Sequence, residues 1–214
     1  GVDAIVLIAA PRLFGKRLGD RRFRQLKEEI SAIHVNALEL ARSANCPIVI
    51  TGGVAFRTTG DEVADETWPL VRSGATAIGE DLDPMVARFV AAGGPKLVWM
   101  LPGQIYGPGG MFLKMLEMAK KGRGAVLGDG RNCIPRIHVD DCAAAYVAAL
   151  EHLDTLPTGE RFIVADDTAC TSQEFADAWT LMCLNMDRNI LWGAGVDPPF
   201  RDAQSWDTWD RFEG

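Results

Sequence analysis

Four short runs in this 214-residue sequence are apolar almost without a break: AIVLIAA at 4–10, PIVIT at 47–51, KLVWML at 96–101 and RFIVA at 161–165. Successive side chains of a strand point to opposite faces, so a half-exposed strand alternates apolar and polar residues. Runs without that alternation need apolar surroundings on both faces, as parallel strands have when helices cover the sheet above and below. Helical patterns separate the runs. In RRFRQLKEEISAIHVNALELARSAN, the positions Phe23, Leu26, Ile30, Ile33, Ala37, Leu40 and Ala44 form one apolar stripe. LDPMVARFVAAGG offers Asp83 as N-cap, Pro84 at the first helical position and glycines to close the helix. MFLKMLEMAKKG reads as an amphipathic helix stopped by Gly122, and VDDCAAAYVAALEHL as an alanine-rich helix suited to close packing on a sheet. TSQEFADAWTLMCL opens with Thr171 and Glu174 at capping-box spacing. Strand alternating with helix predicts an α/β fold, a partial doubly wound parallel sheet.

From Thr171 on, the pattern predicts a small helical C-terminal lobe, so the chain divides into 1–165 and 166–214. The last residues lose all periodicity, and Trp192, Trp206 and Trp209 stand among prolines and aspartates. Tryptophans in such a tail need cover from the parent domain or another chain.

Composition narrows the classes. A formal charge of −7 argues against general nucleic-acid binding, and no apolar run reaches the roughly 20 residues of a membrane span. Arg12, Lys16, Arg17, Arg21, Arg22, Arg24 and Lys27 crowd one segment against Asp20 alone. A solvated face accounts for them; a phosphate site or an acidic partner surface is the sharper alternative. Cysteines at 46, 133, 142, 170 and 183 and three scattered histidines show no metal-ligand spacing, so no metal is expected. Scattered thiols fit the cytoplasm or another reducing soluble compartment. Asp61, Glu62, Asp65 and Glu66 read as a solvated acidic loop, and Met111, Met115 and Met118 as packing.

Three of the strand ends carry small or turn-forming residues: Ala9-Ala10-Pro11, Thr51-Gly52-Gly53 and Pro102-Gly103-Gln104, the last continuing as Ile105-Tyr106. In doubly wound sheets, ligands bind outside the carboxyl ends of the strands. Missing side chains there let a ligand approach the backbone. These residues form the expected ligand crevice.

IVLIAAP, IVITGGVAF, LPGQIYGPGG and IHVDDCAAAYVAALE together resemble the later strands of the extended short-chain dehydrogenases, the NAD(P)-dependent epimerase/dehydratase-type proteins. GERFIVADD and its capped helix resemble the next strand and helix of that fold. The resemblance runs from about Val2 to Leu184 and is most specific in IYGPGG and HVDD. It implies a Rossmann-like domain over 1–165 that binds NAD or NADP through the crevice residues named above. The family's opening strand and glycine-rich G-x-x-G-x-x-G turn, where the pyrophosphate meets a helix N-terminus, have no counterpart here. Strand 4–10 would then be a bare edge, and the expectation is a fragment, or a chain completed along 4–10 by a protein partner or an upstream segment.

Carbonyl-reducing relatives use Tyr and Lys four residues apart, the lysine lowering the phenol's pKa. Here the only tyrosines are Tyr106 and Tyr146, with Gly110 and Leu150 four residues on; the expected dyad positions hold Ala75 and Gly79. Thr51 and Tyr106 remain as catalytic candidates, and for Tyr106 a packed, hydrogen-bonded phenol is the plainer reading. Asp140 reads as the N-cap of its helix, Asp141 as favourable to the helix dipole and His138 as an anchor. Where nucleotide-sugar relatives place a phosphate-holding arginine stands Ile134, with Arg131 and Arg136 displaced. The resemblance implies an atypical epimerase/dehydratase-like oxidoreductase with a degenerate motif. A catalytically silent structural subunit of a larger assembly is the alternative, and a truncated product without a stable fold a third.

Overall fold

The computed structural model describes residues 2–11, 19–56, 62–108, 129–167 and 170–178. The helix expected over 111–122, the three methionines, the first part of the basic segment (12–18) and the tryptophan tail lie outside them. The chain groups into two units, one of 1–107 with 135–166, the other of 108–134 with 167–214.

In the first unit the order is β1 (Ile5–Leu7), α1 (Asp20–Ala44), β2 (Ile48–Thr51), a 3₁₀ helix (Gly74–Gly79), α2 (Leu82–Ala91), β3 (Leu97–Pro102), β4 (Gln104–Tyr106), β5 (Arg136–His138), α3 (Val139–Glu151) and β6 (Glu160–Val164). The four apolar runs form a four-stranded sheet in the order β1-β2-β3-β6, and every pair is parallel. Strand order follows chain order. Burial on both faces explains the unbroken apolar runs. Ile48, Ile50, Leu97, Trp99 and Leu101 face Leu38 and Ala41 of α1 and Leu82, Val86 and Phe89 of α2. Val49, Val98, Met100 and Val164 face Cys142 and Ala149 of α3 on the other side.

Three local expectations need correction. The buried stripe of α1 is Leu26, His34, Leu38 and Ala41, whereas Leu40 is 57% exposed. His34 is tolerated inside because its ring nitrogens meet the carbonyls of Ile30 at 2.9 Å and Thr51 at 3.2 Å. Asp83 does not cap α2, which begins one residue earlier; its carboxylate instead accepts two nitrogens of Arg72, at 2.9 Å from Nη2 and 3.2 Å from Nε. The N-cap of α3 is His138, whose Nδ1 accepts the Asp140 amide at 3.3 Å, so Asp140 lies inside the first turn.

The two edges of the main sheet differ. β1 has no further strand beside it among the described residues, and Val6 and Ile8 are 38% and 69% exposed. β6 is covered by the segment around 65–68. Arg161 donates to the carbonyls of Glu66 and Trp68, and the Glu66 carboxylate accepts the Ile163 amide at 3.0 Å.

In the second unit Cys133 bridges Thr171 in antiparallel fashion, and residues 172–178 are helical. The expected capping box is present: Glu174 accepts the Thr171 amide at 2.7 Å, and Thr171 Oγ1 accepts the Glu174 amide at 3.1 Å. This pairing lowers the pKa of Glu174, first through the Thr171 amide and then through its hydroxyl.

Candidate functional site at the carboxyl edge of the sheet

Parallel pairing places the carboxyl ends of all four strands on one edge, with Leu7 beside Ile50, Thr51 beside Met100 and Pro102 beside Val164. The crevice residues at the ends of β1, β2 and β3 therefore share that edge, whereas Gln104, Ile105 and Tyr106 lie on a separate strand pair. Ala9 and Ala10 are exposed, Pro11 and Gly53 half-buried, and Pro102 buried.

Each glycine has its own reason. Among the described residues nothing lies within 4 Å of where a Cβ on Gly53 would stand, so they leave the edge open there. A Cβ on Gly52 would overlap the indole nitrogen of Trp99 and come within 2.8 Å of Leu101 Cδ2. Gly52 therefore makes room for Trp99, whose buried Nε1 has no hydrogen-bond partner among the described residues. Gly103 is pressed against the Pro135 backbone, where any side chain would collide. That contact lets the chain change partner: β3 pairs with β6, and after Gly103 β4 pairs with β5 in a separate two-stranded parallel sheet. The sequence contained no sign of this second sheet, because strands of three residues are too short to show a period. Gln104, Ile105 and Tyr106 all lie on β4, with Ile105 43% exposed.

The two candidate hydroxyls are held differently. Tyr106 donates to Asp166 Oδ2 at 2.9 Å, and its ring meets the edge of His138 with centroids 5.3 Å apart. Asp166 in turn donates its amide to the Arg136 carbonyl at 2.6 Å. Thr51 donates its single hydroxyl proton to the Leu7 carbonyl at 2.7 Å. The Tyr146 hydroxyl lies 2.6 Å from the same oxygen and must therefore be the donor to it. Spacing arguments missed Tyr146 because its partner is 95 residues away in sequence. Burial, ahead of the other causes, pushes its pKa up to about 12, so the phenol stays neutral at physiological pH.

Arg136 is buried, 6% exposed. Among the described residues no group of histidines, cysteines or carboxylates could hold a metal ion, and no helix is long and apolar enough to cross a membrane.

A parallel sheet ending in this edge, followed by the IYGP and HVDD segments, invites comparison with known proteins. Residues 82–165 match the model of the NAD dependent epimerase/dehydratase family. This stretch is similar to the epimerase/dehydratase family. No curated protein matches the chain significantly. Among solved structures, dTDP-glucose 4,6-dehydratase from Bacillus anthracis in complex with NAD is similar at 22% identity and a TM-score of 0.61, covering 85% of this chain and 57% of that one. UDP-glucose 4-epimerase from Thermus thermophilus, also with NAD, is similar at 22% identity and a TM-score of 0.57, covering 71% and 53%. A human epimerase family protein with NADPH is similar at 20% identity and a TM-score of 0.62, covering 84% and 63%. The likeness is one of fold, and this chain spans a little over half the length of the first two. The matched stretch holds α2, β3, β4, β5, α3 and β6, and with them Tyr106, His138, Tyr146 and most of the crevice residues after Thr51.

Proposed function

We propose that this chain is an atypical epimerase/dehydratase-like protein whose sheet edge contributes to a binding site for a nicotinamide nucleotide, NAD or NADP. One observation carries the reading: the carboxyl ends of four parallel strands lie together, and no described residue fills the space where a side chain on Gly53 would stand. The similar solved proteins hold NAD or NADPH, which favours this cofactor class. Ala9, Ala10, Pro11, Thr51, Gly52, Gly53, Pro102, Gly103, Gln104, Ile105 and Tyr106 are the residues proposed to line the site. The cofactor would supply hydride transfer at its nicotinamide ring. No glycine-rich phosphate turn occurs in the 214 residues, so a partner or segment along β1 is part of the proposal. The buried thiols of Cys46 and Cys142 suit a reducing compartment.

A second reading, a catalytically silent subunit that keeps the scaffold, is favoured by Thr51. Its proton is committed to Leu7 and its oxygen to Tyr146, which leaves the hydroxyl little freedom to serve a substrate. Titration with NADH and NADPH, followed by nicotinamide fluorescence and by the shift in Tm, tests both. Binding that Gly53→Leu weakens without lowering Tm supports the crevice. Binding without turnover of aldehydes, ketones and sugar nucleotides selects the silent subunit. A folded, monodisperse chain that binds neither nucleotide overturns the cofactor reading.

A further inference from the structure

The two edges of the main sheet pose the same physical problem, and among the described residues only one of them is answered. An edge strand presents outward N–H and C=O groups that pair readily with another strand. On β6 the residues opposite β3 are Glu160, Phe162 and Val164 in alternation, as shown by Gly103 donating to the Val164 carbonyl at 2.9 Å. Arg161 and Ile163 therefore direct their backbone groups outward. The outward amide of Ile163 is taken by the Glu66 carboxylate at 3.0 Å. Arg161, on the same side, reaches back to the carbonyls of Glu66 and Trp68 and ties that segment down. The segment is itself a built turn: the Asp65 carboxylate accepts the Thr67 amide at 2.8 Å, and Trp68 donates to the Asp65 carbonyl at 3.1 Å.

We infer that Glu66–Trp68 is a strap over the β6 edge, with the Glu66 carboxylate occupying the hydrogen-bonding position that an added strand would take. The strap holds β6 as the last strand of the sheet and prevents a second copy of the chain from pairing there. A carboxylate suits the task, because it satisfies the outward amide while offering no donor for a further strand to accept. The inference concerns the edge alone and stands whether or not the chain binds a nucleotide.

Hydrogen exchange at single amides tests it. In the wild-type chain the Ile163 amide, although it faces away from β3, exchanges as slowly as that of inward-facing Phe162; exchange at the rate of an open edge overturns the inference. In Glu66→Ala the Ile163 amide exchanges about tenfold faster, whereas Glu66→Gln, which keeps an acceptor oxygen, stays close to wild type. Light scattering across a concentration series then shows Glu66→Ala forming larger species than wild type. A Glu66→Ala chain that opens Ile163 to exchange yet stays as monodisperse as wild type overturns the guarding role. Should Glu66→Ala fail to fold, Arg161→Lys loosens the strap more mildly and is read by the same two measurements.

Discussion

The hydroxyls of Thr51 and Tyr146 lie 2.6 Å apart, and the Thr51 proton is directed to the Leu7 carbonyl at 2.7 Å. One short chain of bonds thus joins α3, β2 and the edge strand β1. Tyr146→Phe removes the outer link and leaves the Thr51 oxygen with one partner fewer, a loss of about 1 kcal/mol in denaturant unfolding.

The same pair sets a pH dependence. A free tyrosine titrates near 10, whereas Tyr146 is pushed up to about 12, chiefly by burial. A pKa raised in the folded state gives stability that is complete below the unfolded value and is lost as pH rises through the folded one. Stability should therefore fall between about pH 10 and 12, and Tyr146→Phe should flatten that fall; ultraviolet titration of the phenols gives the assignment.

Neighbouring glycines should respond oppositely to the same change. Gly52→Ala collides with Trp99 and Leu101 and should cost roughly 1–3 kcal/mol. Gly53→Ala meets no described atom within 4 Å and should stay within about 0.5 kcal/mol of wild type. Paired urea titrations read both.

Arg72 is 6% exposed and rests on Asp83. Asp83→Ala leaves a buried guanidinium without its carboxylate, at a cost of about 3 kcal/mol. Arg72→Met combined with Asp83→Ala should cost less than the two single changes together, which a double-mutant cycle measures.

Because His138 caps α3 through Nδ1, His138→Ala should lower stability by about 1 kcal/mol, while His138→Asn should match wild type. Thermal unfolding of the three chains compares them directly.

The strands were legible in the sequence because burial on both faces leaves an unbroken apolar run, and β2 and β3 show it in Ile48–Thr51 and Leu97–Pro102. Helix existence was equally legible; the fine detail was not. Asp83 looks like an N-cap until Arg72, 11 residues upstream, claims it. His34 looks polar in a binary pattern and is buried with its ring set between the carbonyls of Ile30, one helical turn before it, and Thr51, 17 residues after it. The candidate site divides along the same line. Small residues at strand ends mark the carboxyl edge locally, but whether a glycine serves a ligand or a neighbouring indole depends on Trp99, 47 positions from Gly52 and visible only once the sheet has formed.

Strand order that follows chain order also bears on assembly. Each of β2, β3 and β6 docks on the main-sheet strand made before it, and none has to be threaded between two that are already joined. The sheet can grow in one direction as the polypeptide leaves the ribosome. By the time β6 emerges, the strap that ends this growth has already been synthesised.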